Sequence, residues 1–356
     1  MPIHFIHIAD IHLGAAPDAG TAYTDIRPRE LWNTFADVIA LCEAEKTDIL
    51  LVAGDLFHRQ PLLRELKEVN QLFSTFTHTK VVLIAGNHDY IRSDSYYRTF
   101  AWHENVCPLF SEELDSVVFP EYDMAVYGFS YHSKEISRPR LDTIQAPGRF
   151  KNEILLAHGG DDRHIPIRRE KVAKNGFAYT ALGHIHKPQD LIQNQVCFAG
   201  ALEPIDKNDT GIHGFIRGII NKGAVRTQFV PFAKRKYLHL PVPVSETMTG
   251  RMVTEQLNKA VAKYGVENLY KIILTGFRDP ELTFYPEYMD TSGNILEIED
   301  HTRPAWDFQA LYRDNRDNLI GKYIELFAGC EEGSIEQQAL CEGIQALLCD
   351  DKGISR

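Results

Sequence analysis

A chain of 356 residues, 44% apolar and 24% charged, has the composition of a globular protein with room for one main domain and a smaller companion. No apolar run reaches the roughly 18 residues of a membrane span, and residues 1–10 hold neither a basic stretch nor a long apolar segment, so neither a membrane protein nor a secretory leader is expected. The net charge of −11 divides as −2 over residues 1–236 and −9 over 237–356, which argues against non-specific coating of nucleic acid but not against an enzyme that engages it locally.

In chain order, residues 3–9 read as a first strand that delivers Asp10-Ile11-His12. On an extended backbone, residues i and i+2 point the same way, so Asp10 and His12 can face one ion. Alone, the motif reads as a solvated strand end. Residues 14–27 read as a loop, and residues 28–45 as a helix with Leu31, Phe35, Val38, Ile39 and Cys42 on one face. A strand over 48–53 then delivers Gly54-Asp55-Leu56-Phe57-His58. A helix over 62–77 leads to a strand over 80–85 and to Gly86-Asn87-His88-Asp89-Tyr90. Glycine at each of these strand ends lets the chain turn tightly and leaves space beside the next side chain. The alternation of strand and helix implies a layered sheet covered by helices.

Residues 91–116 are less regular, and 124–129 reads as a strand. Residues 153–157 deliver His158-Gly159-Gly160, and residues 179–183 deliver His184-Ile185-His186. Two short strands (190–193 and 196–199) precede Gly200-Ala201-Leu202-Glu203-Pro204, and a hairpin turns at Asn221-Lys222-Gly223. A boundary is expected near Leu240-Pro241-Val242-Pro243. Beyond it come a helix over 248–264, strands over 269–274 and 294–299, and two amphipathic helices over 307–328 and 334–349.

Five blocks thus follow strand-like runs: Asp10 with His12, Asp55, Asn87 with His88, His158, and His184 with His186. Five unrelated polar strand ends are a poor account of that coincidence. The six cysteines (Cys42, Cys107, Cys197, Cys330, Cys341, Cys349) stand apart from these blocks and form no Cys-x-x-Cys pair; they read as reduced thiols in a cytoplasmic setting. The mixed oxygen and nitrogen donor set suits manganese, iron, zinc or, less well, magnesium. Two cations about 3.5–4 Å apart can hold a hydroxide and clamp a phosphate during in-line displacement. Asp55, with two oxygens, is the natural bridge. His88, with Asp89 behind it, fits the acid beside the leaving group.

The series Asp-x-His, Gly-Asp, Gly-Asn-His-Asp, a lone histidine after a strand, and Gly-His-x-His resembles the calcineurin-like metallophosphoesterases over residues 1–235. Gly54-Asp55-Leu56-Phe57-His58 and the 200–204 block are similar to the SbcD-type DNA-repair nucleases, including their YhaO-like branch. The resemblance implies a four-layer α/β/β/α sandwich over 1–236, a smaller α/β capping domain over 241–300 that helps bind DNA, and C-terminal helices over 301–356. It implies one metal held by Asp10, His12, Asp55 and His186, and another by Asp55, Asn87, His158 and His184. His88 would be the catalytic histidine and His58 a second functional histidine that positions the strand. It further implies manganese dependence, 3′-to-5′ exonuclease or single-strand endonuclease activity, and an SbcC-type coiled-coil ATPase partner; a homodimer is compatible with it. The Ala201-Leu202-Glu203-Pro204 stretch departs from the Gly-Ser-rich form usual there. The acidic last third is unlike a DNA-gripping cap and is expected to face a partner protein in part.

Other features have plainer readings. His4 and His7 read as packing histidines. Arg163, Arg168, Arg169, Lys171 and Lys174 are either a solvated helix face or a phosphate-contacting patch. Lys234-Arg235-Lys236 reads as a basic linker, and the Phe308–Phe327 stripe as core or as a docking face. The same metal chemistry on a small or lipid phosphoester, and a scaffold without useful catalysis, remain as alternative functions.

Overall fold

The computed structural model describes residues 2–331 and 333–352. The chain divides into two compact units: Met1–Leu238 with Glu267–Leu269, and His239–Val266 with Tyr270–Arg356.

The first unit opens with β1 (Ile3–Ile8), α1 (Arg27–Glu45), β2 (Ile49–Ala53), α2 (Leu63–Phe73), β3 (Lys80–Ile84) and β4 (Val106–Pro108). It continues through β5 (Asp115–Phe119), β6 (Met124–Gly128), β7 (Asn152–His158), α3 (Arg169–Val172), β8 (Tyr179–Gly183), β9 (Gln189–Ile192) and β10 (Val196–Phe198). A hairpin of β11 (Gly214–Asn221) and β12 (Ala224–Pro231) follows. Two six-stranded sheets result, ordered β12-β11-β1-β2-β3-β4 and β5-β6-β7-β8-β10-β9.

The layering follows from period two. On β2, Ile49, Leu51 and Ala53 enter the core shared with Ile154 and Leu156 of β7, while Leu50 and Val52 enter the core shared with Phe35 of α1 and Leu66 of α2. A strand buried on both faces needs apolar residues throughout, which is what the Ile-Leu-Leu-Val-Ala run provides. The far face of the second sheet packs Leu155 and Leu182 against Val172 of α3 and Phe177. Helices, sheet, sheet and helix stack in the four-layer order expected of the family. β1, β2 and β3 run parallel, so their carboxyl ends share one rim, and β7 and β8 do the same opposite.

The second unit holds β13 (Tyr237–Val244), α4 (Gly250–Tyr264), β14 (Leu269–Arg278), α5 (Pro286–Met289), β15 (Ile295–Asp300) and β16 (Arg303–Pro304). α6 (Phe308–Asp314), α7 (Leu319–Leu326) and α8 (Ile335–Lys352) close it. Its sheet runs β13-β14-β15, with β16 also on β14. Ile320, Ile324, Leu340 and Ile344 form the centre of the helical cluster.

The Leu240-Pro241-Val242-Pro243 stretch, near which a boundary is expected, is part of an edge strand, in which Tyr237, Leu240, Val242 and Val244 are buried and both prolines are exposed. Proline lacks the ladder donor, and an edge position tolerates that. The helix expected over 307–328 is two helices. Asn318 caps the second, its side chain accepting from the Ile320 and Gly321 amides at 2.9 and 3.3 Å, and so breaks the run. Cys42, Cys107, Cys197, Cys330 and Cys341 are free thiols; the Cys349 side chain and residues 353–356 lie outside what the structure describes.

Candidate metal centre

Asp10, Asp55, His158 and His184 stand at or just past the carboxyl ends of β1, β2, β7 and β8. The backbone there is not extended. Asp10, His12, Asp55 and His184 have φ of 50°, 51°, 50° and 95°, values that non-glycine residues rarely adopt. Asp10 and His12 therefore do not converge through the i, i+2 alternation expected from the sequence; consecutive tight turns bring them together. Such strain gathers where a fold is held to a functional geometry. The glycines act as foreseen: a Cβ on Gly86 would lie 2.2 Å from Asp55 Oδ1, and one on Gly54 would lie 2.5 Å from His158 Nδ1.

All seven residues expected to hold metal meet in one place. Asp10, Asp55 and His158 form one group of donor atoms within mutual reach, and Asp10, His12 and His186 form another. Asp55 Oδ2 lies 3.3 Å from His158 Nε2 and 3.9 Å from His12 Nε2, on the way between the two groups. His158 Nε2 and His184 Nδ1 lie 2.9 and 3.1 Å from Asn87 Oδ1. His12 Nε2 and His186 Nε2 are 3.1 Å apart. Asp10, His12, Asp55, Asn87 and His158 are buried, His184 and His186 half-buried.

Buried carboxylates need donors or cations around them. Burial raises the Asp10 carboxyl to about 6 against the pull of His158. Burial would also raise Asp55, but the adjoining His158 overrides it and holds that carboxyl far below the usual range. Burial would lower His158 and His186; Asp55 and Asp209 respectively outweigh it, and both rise to about 9. Burial, against the pull of Asp55 and with the neighbouring His186, carries His12 well below its ordinary value, and burial with the neighbouring His158 carries His184 to about 4. Acceptors and imidazoles this crowded fit divalent cations, and the absence of thiolate keeps the set hard to borderline.

His88 and His58 stand beside this cluster. Their rings stack at 4.9 Å, and each lies near His12, at 4.8 and 5.2 Å. His88 Nδ1 lies 3.0 Å from the His58 carbonyl oxygen. The expected carboxylate behind His88 is not Asp89. Asp89 turns inward and accepts from the Gly86 amide (2.7 Å), the Phe57 amide (3.2 Å) and the Tyr97 hydroxyl (2.9 Å). Burial and then the nearby Asp55 raise its carboxyl to about 7. Asp89 braces the two metal loops against each other, and the His58 carbonyl orients His88 in its place.

Two carboxylates were missed. Asp161 Oδ2 lies 2.8 Å from His184 Nε2, and Asp209 Oδ2 lies 2.9 Å from His186 Nδ1. Asp209 follows no strand, and Asp161, three residues past β7, comes after His158, which already fills the ligand position at that strand end. Glu203, in the block that departs from the related nucleases, is buried and accepts from Thr34 Oγ1 and the Lys234 amide, both at 2.6 Å. It lies 3.5 Å from the wholly buried Arg27, which reaches the Pro204 carbonyl at 2.6 Å. In the basic stretches, Arg235 is paired with Glu30 and Lys234 with Asp37, as befits a structural segment. Arg163 pairs with Glu135 and Arg168 with Asp142, whereas Arg169, Lys171 and Lys174 are exposed.

A family model described as calcineurin-like phosphoesterase matches residues 3–188, a stretch that holds every residue expected at the site. The chain is similar to the metallophosphoesterase YhaO of Bacillus subtilis, with 28% identity over 76% of this chain and 71% of that one. It is similar to the DNA double-strand break repair protein Mre11 of Methanocaldococcus jannaschii, with 27% identity over 58% of each. The Mre11 of Sulfurisphaera tokodaii is 25% identical over 87% of this chain and 80% of that one.

Proposed function

Because this chain belongs to the calcineurin-like phosphoesterase family, whose model matches residues 3–188, we propose that it is a metal-dependent phosphodiesterase acting on DNA. The observation that carries this reading is the convergence of Asp10, His12, Asp55, Asn87, His158, His184 and His186 from five separate strand ends. The first four positions of the ion pair would be Asp10, His12, Asp55 and His186, and the second four Asp55, Asn87, His158 and His184. Two divalent ions there, manganese on the family resemblance, would supply a nucleophile at neutral pH and polarise the phosphoester.

The chain's own residues do the rest. Asp55 lies between the donor groups and would temper the repulsion of two cations. His88 donates its Nδ1–H to the His58 carbonyl, so its ring must carry a second proton, on Nε2, to act as the acid toward the departing oxygen. His58, stacked on His88, would hold the scissile strand in line. Exposed Arg169, Lys171 and Lys174 are suited to backbone phosphates. DNA as substrate is supported by the two Mre11 proteins, named for double-strand break repair. Residues 241–300 would cap the substrate, and residues 301–356 would dock an SbcC-type ATPase. The helices there pack around Ile324 and Leu340 and leave Leu319, Leu326 and Ile335 exposed.

The test is Mn²⁺-dependent degradation of 3′-labelled duplex and single-stranded DNA beside bis-(p-nitrophenyl) phosphate. Release of label supports the reading. Turnover of the small ester with none on any DNA would instead assign a small or lipid phosphoester. Metal binding without turnover of either would leave a scaffold. Partner docking is tested by pull-down of the ATPase with and without residues 305–356; equal capture removes it.

A further inference from the structure

His184 and His186 are two residues apart, yet they present different ring nitrogens to the cluster. His184 offers Nδ1, 3.1 Å from Asn87 Oδ1, and His186 offers Nε2, 3.1 Å from His12 Nε2. The opposite nitrogen of each ring meets a carboxylate: Asp161 at His184 Nε2 (2.8 Å) and Asp209 at His186 Nδ1 (2.9 Å). A neutral imidazole carries one proton, and a carboxylate claims it on the nitrogen that it faces. The remaining nitrogen is then an acceptor aimed at a cation.

We infer that Asp161 and Asp209 are positioning residues that set opposite tautomers in His184 and His186, and so assign one ring to each of the two ions. The inference rests on the dinuclear reading above. Both carboxylates are themselves fixed. Asp161 Oδ1 accepts from the Arg163 and His164 amides at 2.8 and 2.9 Å, and both its oxygens lie within 3.0 Å of His164 Nδ1. Asp209 Oδ2 accepts from the Ile205 and Asp206 amides at 3.1 and 3.3 Å. The two are not equal. The Asp161 side chain is 47% exposed and the Asp209 side chain 17%, so water weakens the first hold more than the second. His158 needs no such partner, because its Nδ1 meets the Ala53 carbonyl at 2.9 Å.

The experiment has two arms on the full chain. In histidine-labelled protein loaded with diamagnetic Zn²⁺, long-range ¹H–¹⁵N spectra should place the proton on Nε2 of His184 and on Nδ1 of His186. In Mn²⁺ titrations followed by electron paramagnetic resonance, Asp161→Asn should weaken one of two sites about tenfold and Asp209→Asn the other, by up to roughly 100-fold. Protons on the opposite nitrogens, or both sites unchanged in both variants, would overturn the assignment. So would a third equivalent of Mn²⁺ lost in Asp161→Asn, which would make Asp161 a ligand; Asp161, His164 and His184 are close enough to one another for that. A protein with the expected protons and affinities that cleaves no DNA loses only the proposed substrate. One that cleaves DNA with the opposite protonation loses only this inference.

Discussion

The two units of the chain spend their apolar residues differently. In the first, β2, β6, β7 and β8 are buried at every position, and residues of both sheets share one buried cluster between them. In the second, β15 is at best half-buried, α6 has no buried residue, and Tyr288, Leu326 and Ile335 are 77%, 80% and 83% exposed. A dense core is what holds four strained donor residues, three of them buried, at one rim against their own repulsion. The second unit has no comparable charge to hold. Residues 237–356 also carry most of the chain's net negative charge.

The comparison breaks most sharply at Asp55. Asp55→Asn removes the carboxylate proposed to serve both ions, so both should bind more weakly and turnover of bis-(p-nitrophenyl) phosphate should fall by at least ~10³-fold. His88→Asn should cost about 10²–10⁴-fold in rate while Mn²⁺ stoichiometry holds, on the role proposed for it; His12, His58 and His88 lie close enough together to hold an ion, so the stoichiometry is the deciding readout. Loss of metal in His88→Asn would move that residue into the coordination sphere. At the level of stability, Leu51→Ala should cost roughly 2–5 kcal/mol in urea unfolding, because Leu51 is wholly buried between the sheets. Leu319→Ala, at a position 66% exposed, should stay within about 0.5 kcal/mol. Equal costs would mean that the C-terminal helices are packed as tightly as the sandwich.

What could be read in advance follows the same division. A fully buried parallel strand announces itself as an unbroken apolar run, and the residue at its end is displayed by the break. Asp55, Asn87, His158 and His184 were legible for that reason. The turn that carries Asp10 and His12 was not, since positive φ at Asp10 and His12 leaves no mark when the residue is not glycine. Asp89 was misread because adjacency in sequence was taken for contact; only the fold shows that the Gly86 and Phe57 amides claim it. Asp161 and Asp209 sit in turns whose composition matches any polar loop. In the second unit the amphipathic stripe was visible, but the break at Asn315–Asn318 and the strand through Pro241 and Pro243 depend on capping and edge position, which periodicity does not encode.

A pH-dependent difference tests whether the first unit's core is as dry as its burial implies. His7 lies on β1, wholly buried, with Nδ1 2.9 Å from the Tyr179 hydroxyl. Burial lowers its pKa from 6.5 to about 3. The unfolded chain therefore takes up a proton that the folded chain refuses, in the window from about 6.5 down to about 3. Stability is complete above that window and falls as pH drops into it, by about 2 kcal/mol between pH 7 and pH 5 for this group alone. Other buried histidines add to the slope, so the informative quantity is a difference. His7→Gln should be less stable than the parent at pH 7, and it should lose about 2 kcal/mol less than the parent on going to pH 5. Urea midpoints at the two pH values measure both terms. Parallel losses in the two proteins would mean that the folded state admits a proton at His7, and that water or a counter-charge reaches the floor of the sandwich.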